Sequence, residues 1–192
     1  DYIEDIAPVV ETKKWVNTVN REVLTRLIYS TPSLKSIENE HIMYGRYITE
    51  IDNISNRKVC VLGVEVAKKL FGTPFCIGKT LQINSTNFSI IGVLERKDRD
   101  LLKSLGVAGN IDPNGKIILP INLYLNESND KEISYIEISS KDLTSSDKIA
   151  AKAINQLRII HKNQFNYSYK EMKHYIDSTE KILTTVTWIL II

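Results

Sequence analysis

The chain has 192 residues, 25 basic and 23 acidic, for a formal net charge of +2 with both signs mixed along its length. That balance provides no broad positive field for a phosphate backbone and argues against nucleic acid as a partner. The length suffices for a sizeable core, arranged as one domain or two small lobes.

The chain starts at Asp1, with neither an initiator methionine nor a basic-then-apolar leader, which predicts an excised fragment or a processed product. Residues Ile6 to Val10 and Arg21 to Tyr29 read as extended, because Val9-Val10, Val23-Leu24 and Leu27-Ile28 supply β-branched and apolar side chains. Thr31-Pro32 predicts the start of a short helix, with the threonine capping free N–H groups and the proline at the first helical position. Glu38, Glu40 and His41 follow as an exposed acidic turn, a reading preferred to a metal site, and Ile42-Met43-Tyr44 as a strand.

From Val59 to Leu94 the signals are densest. An apolar run ends at Gly63, and a short helix carries Val64, Ala67, Lys68 and Phe71. Gly72 and Pro74 break it before two β-rich stretches separated by the polar turn Asn84-Ser-Thr-Asn87. Gly72 to Thr80 superficially resembles a phosphate-binding loop. The gap between Gly72 and Gly78 is one residue too long, Pro74 removes an N–H donor, and the order is helix, turn, strand, so a tight turn with a solvated Lys79 is expected. Cys60 falls on the central strand and Cys76 in the turn. Either they close a disulfide, or Cys60 is a buried small apolar residue and Cys76 a half-buried free thiol.

Glu95 to Asp100 alternates in sign and is expected to be solvated. After Gly115, Lys116 to Leu119 reads as a strand, Asn126 to Lys131 as a polar linker, and Ile133 to Ser139 as an imperfectly alternating strand. Thr144 stands three before Asp147 in a capping-box-like arrangement. Ile149, Ala153, Leu157 and Ile160 then follow at helical spacing, with Ala150 and Ile154 alongside, which predicts a helix with a buried face. Phe165 to Tyr169 alternates aromatic and polar residues, as a returning strand would.

Lys181 is the last charged residue; Ile182 to Ile192 is uncharged and carries Trp188. This stretch is shorter than the roughly 20 apolar residues that span a bilayer. It reads either as the start of a membrane helix, with Trp188 at the interface, or as a terminal element packed on its own core. Met172, Ile176, Thr179, Leu183, Val186 and Leu190 fall at alternating steps of four and three, one stripe along a helix face. The stripe fits a stalk-helix packing seam leading into the membrane, or an ordinary amphipathic helix.

Catalytic signatures are lacking. His41, His161 and His174 fall on different predicted elements with no H-E-x-x-H spacing. Ser30 precedes Thr31-Pro32, Ser145-Ser146 suits a helix cap, and no G-x-S-x-G elbow occurs. No catalytic, metal or cofactor-binding residue is expected. A hydrolase using Cys60 or Cys76 with a spatially adjacent histidine remains the enzyme alternative.

Several of these residues carry a family resemblance. Leu62-Gly63, Val66-Ala67, Leu70-Phe71-Gly72, Ile77-Gly78-Lys79, and Phe88 through Ile91-Gly92-Val93-Leu94 resemble the core motif of the extracytoplasmic domain of MacB-like ABC transporter permeases, within the broader FtsX-like family. Gly45-Arg46-Tyr47 followed by Asp52 is similar to that family's glycine-arginine-aromatic turn before an acidic residue. Ile117-Ile118-Leu119-Pro120 resembles its strand ending in proline. The resemblance covers residues 25 to 160, strongest from Leu70 to Leu94, and departs from the family pattern over 95 to 115.

The expected fold is α+β with two lobes. A porter-like α/β lobe comprises residues 1–38 and 127–180, a β-rich lobe is inserted at 39–126, and a stalk helix leads into a truncated transmembrane helix at 181–192. What the resemblance implies is a noncatalytic domain on the periplasmic or extracellular side of the cell membrane, transmitting ATP-driven motion outward in efflux, lipoprotein trafficking or cell-wall control. Implied partners are a dimer partner permease, a cytoplasmic ATPase on a separate domain or chain, the membrane through flanking helices, and a membrane-fusion or other extracytoplasmic protein. A soluble extracellular ligand-binding or adhesion module is the alternative.

Overall fold

Apolar residues in the first two extended runs fall on both faces of a sheet, and both faces are covered. The structure is a computed structural model that describes residues 3–97, 112–128, 131–140, 146–162, 164–165 and 167–169. In β1 (Ile3–Asn17), Val10 and Val16 serve one core cluster while Ala7 and Val9 serve another. In β2 (Glu22–Ser30), Leu27 and Tyr29 join the first cluster and Ile28 the second. The two strands form an antiparallel ribbon in register from Val9↔Ser30 to Asn17↔Glu22. β1 thus extends well past the predicted Ile6–Val10.

The following elements are α1 (Leu34–Ile37), β3 (Ile42–Gly45), α2 (Glu50–Ile54), β4 (Val59–Leu62), α3 (Val64–Phe71), β5 (Thr80–Ile83), β6 (Thr86–Leu94), β7 (Lys116–Pro120), α4 (Ile121–Glu127), β8 (Tyr135–Ser140) and α5 (Ser146–Ile160). Eight strands make one mixed sheet in the order β2-β7-β4-β6-β5-β1-β8, and β1 also pairs with β2. Six strands therefore close a hydrogen-bonded ring, which leaves none of those six as a bare edge of the kind that templates aggregation. β3 is added on β6, and β8 on β1. The β2–β7 and β4–β6 pairs are parallel. A parallel pair needs a crossover connection, and α3 lies within the one that joins β4 to β6.

The larger core cluster combines Val10, Val16, Leu27, Cys60, Leu81, Phe88 and Ile117 from the strands with Val66, Ala67 and Leu70 of α3 and Ile121 and Leu123 of α4. The smaller one packs Ala7, Val9, Ile28, Val61, Leu94 and Ile118 against Leu34, Tyr47 and Ile48. Strands from both chain regions assigned to different lobes by sequence thus share one sheet. Residues Asp5–Ser139 form one compact unit, and Asp1–Glu4 with Ser140–Ile192 form a second.

Local expectations from Val59 to Leu94 match the structure closely. Gly72 closes α3 in the left-handed conformation, φ 75°. The β5–β6 turn is tighter than the four residues predicted. Asn84 and Ser85 alone take positive φ, 46° and 66°, as a two-residue hairpin turn of matching twist requires, and Thr86 already belongs to β6.

Elsewhere the sequence reading needs correction. The first helix is not capped by the Thr31 hydroxyl, which is buried and has no partner among the described residues; backbone carbonyls of Thr31 and Pro32 accept from Leu34 and Lys35 instead. Asn126 and Glu127, read as linker, end α4, a helix of 7 residues too short to show a 3.6-residue period. The α5 stripe of Ile149, Ala150, Ala153, Ile154 and Leu157 is half-buried, whereas Ile160 is exposed and Thr144 lies outside the described residues. Gln164, Phe165 and Tyr167–Tyr169 form no strand, and among the described residues no strand pairs with them. Among the described residues, no helix is long and apolar enough to cross a membrane.

Gly45 and Gly92 are register partners on β3 and β6. A Cβ on Gly92 would lie 2.2 Å from the Arg46 carbonyl oxygen, and one on Gly45 equally close to the Ile91 carbonyl. The crossing is therefore closed to any side chain. Gly92→Ala is expected to lose about 1–3 kcal/mol through this overpacking, read as a lower midpoint in urea denaturation; an unchanged midpoint would show that the backbones can part at no cost.

Candidate functional site

The turn after β3 is built around a carboxylate. Thr49 and Asp52 form a capping box at the start of α2: the Thr49 hydroxyl accepts from the Asp52 N–H, and the Asp52 carboxylate accepts from the Thr49 N–H at 2.9 Å. The Thr49 hydroxyl also donates to that carboxylate at 2.7 Å. Arg46 approaches the same carboxylate with both terminal nitrogens, at 2.5 and 3.0 Å, and Arg57 stands 3.5 Å away. The Asp52 side chain is fully buried. The Arg46 guanidinium, outweighing desolvation together with the Thr49 donors, holds the Asp52 carboxyl well below the usual carboxylate range.

Gly45, Arg46, Tyr47 and Asp52, singled out by resemblance, are thus brought together. Thr49 and Arg57 were overlooked, although the spacing Thr49-x-x-Asp52 is itself a capping signal. Arg46 also donates to the Tyr47 carbonyl, 3.0 Å, fixing the main chain as it leaves the glycine crossing.

A second polar group gathers two lysines and two glutamates. Lys116, on β7, is 4% exposed and pairs with Glu38 and, at 2.7 Å, with Glu40. Lys97 donates to Glu40 at 2.6 Å and to the Glu38 carbonyl at 2.7 Å. Asn114 clasps the Lys97 backbone, accepting from its N–H at 2.9 Å and donating to its carbonyl at 3.0 Å. Glu40 is 3% exposed, so the acidic turn predicted to be solvated is an ion-paired interior cluster. Lys97 corrects the charge run in the same way, while Asp98, Arg99 and Asp100 lie outside the described residues. His41 is exposed, and among the described residues no group of three or more His, Cys, Asp or Glu is placed to hold a metal.

Cys60 and Cys76 are free and buried, Cys76 more so than predicted. Burial raises both thiols, Cys76 to about 11 and Cys60 further. A nucleophilic cysteine needs the opposite shift. Lys79 stands over the Phe71 ring, 5.3 Å from its centroid, at the turn that mimics a phosphate loop. Ser30 is buried and donates to the Pro8 carbonyl at 2.8 Å. The stripe Met172, Ile176, Thr179, Leu183, Val186 and Leu190 lies outside the described residues, as does His174.

These features are those of a rigid folded module with its polar groups turned to its own architecture. Residues 1–156 match the MacB-like periplasmic core domain family. The chain belongs to that family. It is 29% identical over 119 residues, 62% of the chain, to the macrolide export ATP-binding/permease protein MacB of Bdellovibrio bacteriovorus. To the pyoverdine export ATP-binding/permease protein PvdT of Pseudomonas aeruginosa it is 28% identical over 156 residues, 80% of the chain. It spans 17% and 22% of those two proteins. The extracellular domain of the transporter YknZ from Gram-positive bacteria shares the fold, with TM-score 0.70 over 84% of this chain and 78% of that one at 15% identity. So does the periplasmic region of MacB from Actinobacillus actinomycetemcomitans, with TM-score 0.69 over 85% of this chain and 70% of that one at 20% identity.

In this MacB-like domain, replacing Arg46 by Met leaves the buried carboxylate its two Thr49 donors and, as countercharge, Arg57 at 3.5 Å, and is expected to cost about 3 kcal/mol, the lower end for a broken buried pair. The native contribution of Asp52 is present above its unfolded value of about 3.9 and is lost as pH falls toward its depressed folded value. Urea titrations from pH 7 to pH 2.5 should therefore show a steep acid loss in the native chain and a shallower one in Arg46→Met; parallel curves would contradict the assignment. Native Cys60 and Cys76 should resist iodoacetamide at pH 8 and react on unfolding, whereas rapid alkylation of the folded chain would revive the cysteine-hydrolase alternative.

Proposed function

We propose that this chain is the noncatalytic extracytoplasmic domain of an ABC transporter permease, and that it carries ATP-driven motion of membrane helices to a partner or substrate outside the membrane. The observation that carries this reading is the family match over residues 1–156, shared with relatives that are export ATP-binding/permease proteins. The uncharged stretch after Lys181 supports it as the start of a membrane helix, and the stripe from Met172 to Leu190 as the seam of a stalk that enters it.

In this reading residues 1–38 and 127–180 belong to the porter-like lobe and 39–126 to the inserted lobe. The pairing of β2 with β7 and of β1 with β5 couples them through one sheet. Such a sheet passes displacement better than a flexible linker would, because its hydrogen-bonded strands move together. ATP binds elsewhere, on a separate domain or chain. A second permease copy, the cytoplasmic ATPase and an extracytoplasmic protein of the membrane-fusion kind are the partners, and the process served is efflux, lipoprotein trafficking or cell-wall control.

The test uses the parent protein in proteoliposomes, with Ile176→Cys and Leu183→Cys made singly. Both cysteines are expected to cross-link between copies, with a yield that changes when ATP is added, while ATP leaves the melting temperature of this domain by itself unchanged. Cross-linking indifferent to ATP, or a saturable rise in the domain's melting temperature with ATP, would overturn the reading.

A further inference from the structure

β3 is hydrogen-bonded to β6 along one edge, and among the described residues no strand pairs with the other. An open edge presents backbone N–H and C=O groups to any extended neighbour. Beside it lies an apolar patch. The Tyr44 and Phe75 rings meet edge-to-face, 5.5 Å between centroids and 86° between planes. Ile77 adjoins the same strand, its Cδ1 3.0 Å from where a Cβ on Gly45 would stand. Phe75 is 67% exposed and Tyr44 and Ile77 each 37%, so the fold orders an aromatic pair and leaves much of it in water.

The two ends of β3 carry opposite charge. At its start stands the exposed Glu95, whose N–H donates to the His41 carbonyl at 2.8 Å, while the neighbouring Arg96 is paired with Glu65 at 2.9 Å. At its end, Arg46 and Arg57 share the single carboxylate of Asp52, and the exposed Lys79 follows two residues after Ile77. With Glu50 of α2 counted, three cations there meet two carboxylates. An antiparallel pair of identical strands sets the start of each against the end of the other, so Glu95 of one copy approaches Arg46 and Lys79 of the second. The four residues of β3, with a bulge between Ile42 and Tyr44, are too few to template an open array, whereas a two-fold pair closes on itself.

We propose that β3 and the Tyr44–Phe75–Ile77 patch are the contact between two copies of this domain in the parent protein, joined edge to edge across a two-fold axis. The proposal rests on the reading of the chain as part of a dimeric permease. The patch presents on the order of 300 Å², against about 800 Å² per partner in a stable free-standing interface. The domain by itself is therefore monomeric, and the edges pair where membrane segments already hold two copies close together, at a high effective concentration.

The test uses the parent protein in proteoliposomes, carrying Met43→Cys on β3 and treated with a flexible bismaleimide, read against the unsubstituted parent. Cross-linked dimer is expected from Met43→Cys, with a yield about tenfold lower once Phe75→Glu is added, as for loss of a central aromatic anchor. Because Phe75 is exposed, the melting temperature should hold in Phe75→Glu. Glu95→Lys should also lower the yield, and Glu95→Lys combined with Lys79→Glu should restore it. ATP-responsive cross-linking at Ile176→Cys and Leu183→Cys with none at Met43→Cys would overturn the edge pairing and leave the transport reading intact; no cross-link at any of the three would overturn both. A yield indifferent to Phe75→Glu, or a charge swap that restores nothing, would likewise overturn the pairing.

Discussion

One carboxylate, that of Asp52, organises the turn on which the β3 side of the sheet is hung. With no solvent to share its charge, it is held by Arg46, Thr49 and the N-terminus of α2. The cost of bringing a charge inside is met only while all these donors stay in place, which ties the main chain from Arg46 to α2 into one conformation. That conformation lets the Arg46 carbonyl press against Gly92, so the salt bridge and the glycine crossing depend on each other. Asn53, next to Asp52, extends the same order to α4, accepting from the Asn122 N–H and side-chain amide at 3.1 Å.

The second polar group solves a different problem. Lys116 opens a strand every one of whose residues is buried, and Lys97 closes the segment after β6. Both need anions, and the turn between α1 and β3 supplies them. Buried pairs of this kind give little net stability compared with an apolar core, but they leave wrong pairings heavily penalised. Here they fix which segments meet, the turn between α1 and β3 with the stretch after β6 and the start of β7, and Asn114 clasps Lys97 at the same place.

Much of the central fold was legible because its signals are local. Gly72, the Asn84-Ser85 turn, the helix from Val64 to Phe71 and the apolar run into Leu62 each follow from the stereochemistry of a few adjacent residues. The false phosphate loop was settled the same way, by order and spacing. Arg46 and Asp52 were found through resemblance, and their bond is nearly local, six positions apart. The Lys97–Glu40 and Lys116–Glu38 pairs span 57 and 78 positions, and no pattern in the neighbourhood of any of the four announces them. Glu38 and Glu40 look solvated in sequence because their countercharges arrive only with the fold. Likewise α4 hides behind the alternation Ile121-Asn-Leu123-Tyr-Leu125, which mimics a strand over its short length.

The proposed force-carrying role asks for a stiff frame, which the ring of six strands and the close Gly45–Gly92 crossing provide. The account stands or falls on which side of the membrane the domain lies. Val19, at the tip of the β1–β2 ribbon, is fully exposed, and Cys60 and Cys76 are buried, so Val19→Cys, read against the unsubstituted parent protein, reports the side on which the domain lies. Labelling of that cysteine in the parent protein of intact cells by a membrane-impermeant maleimide is the most direct measurement. Labelling from outside without permeabilisation of the cell membrane is predicted; labelling only after that membrane is breached would contradict the proposed placement.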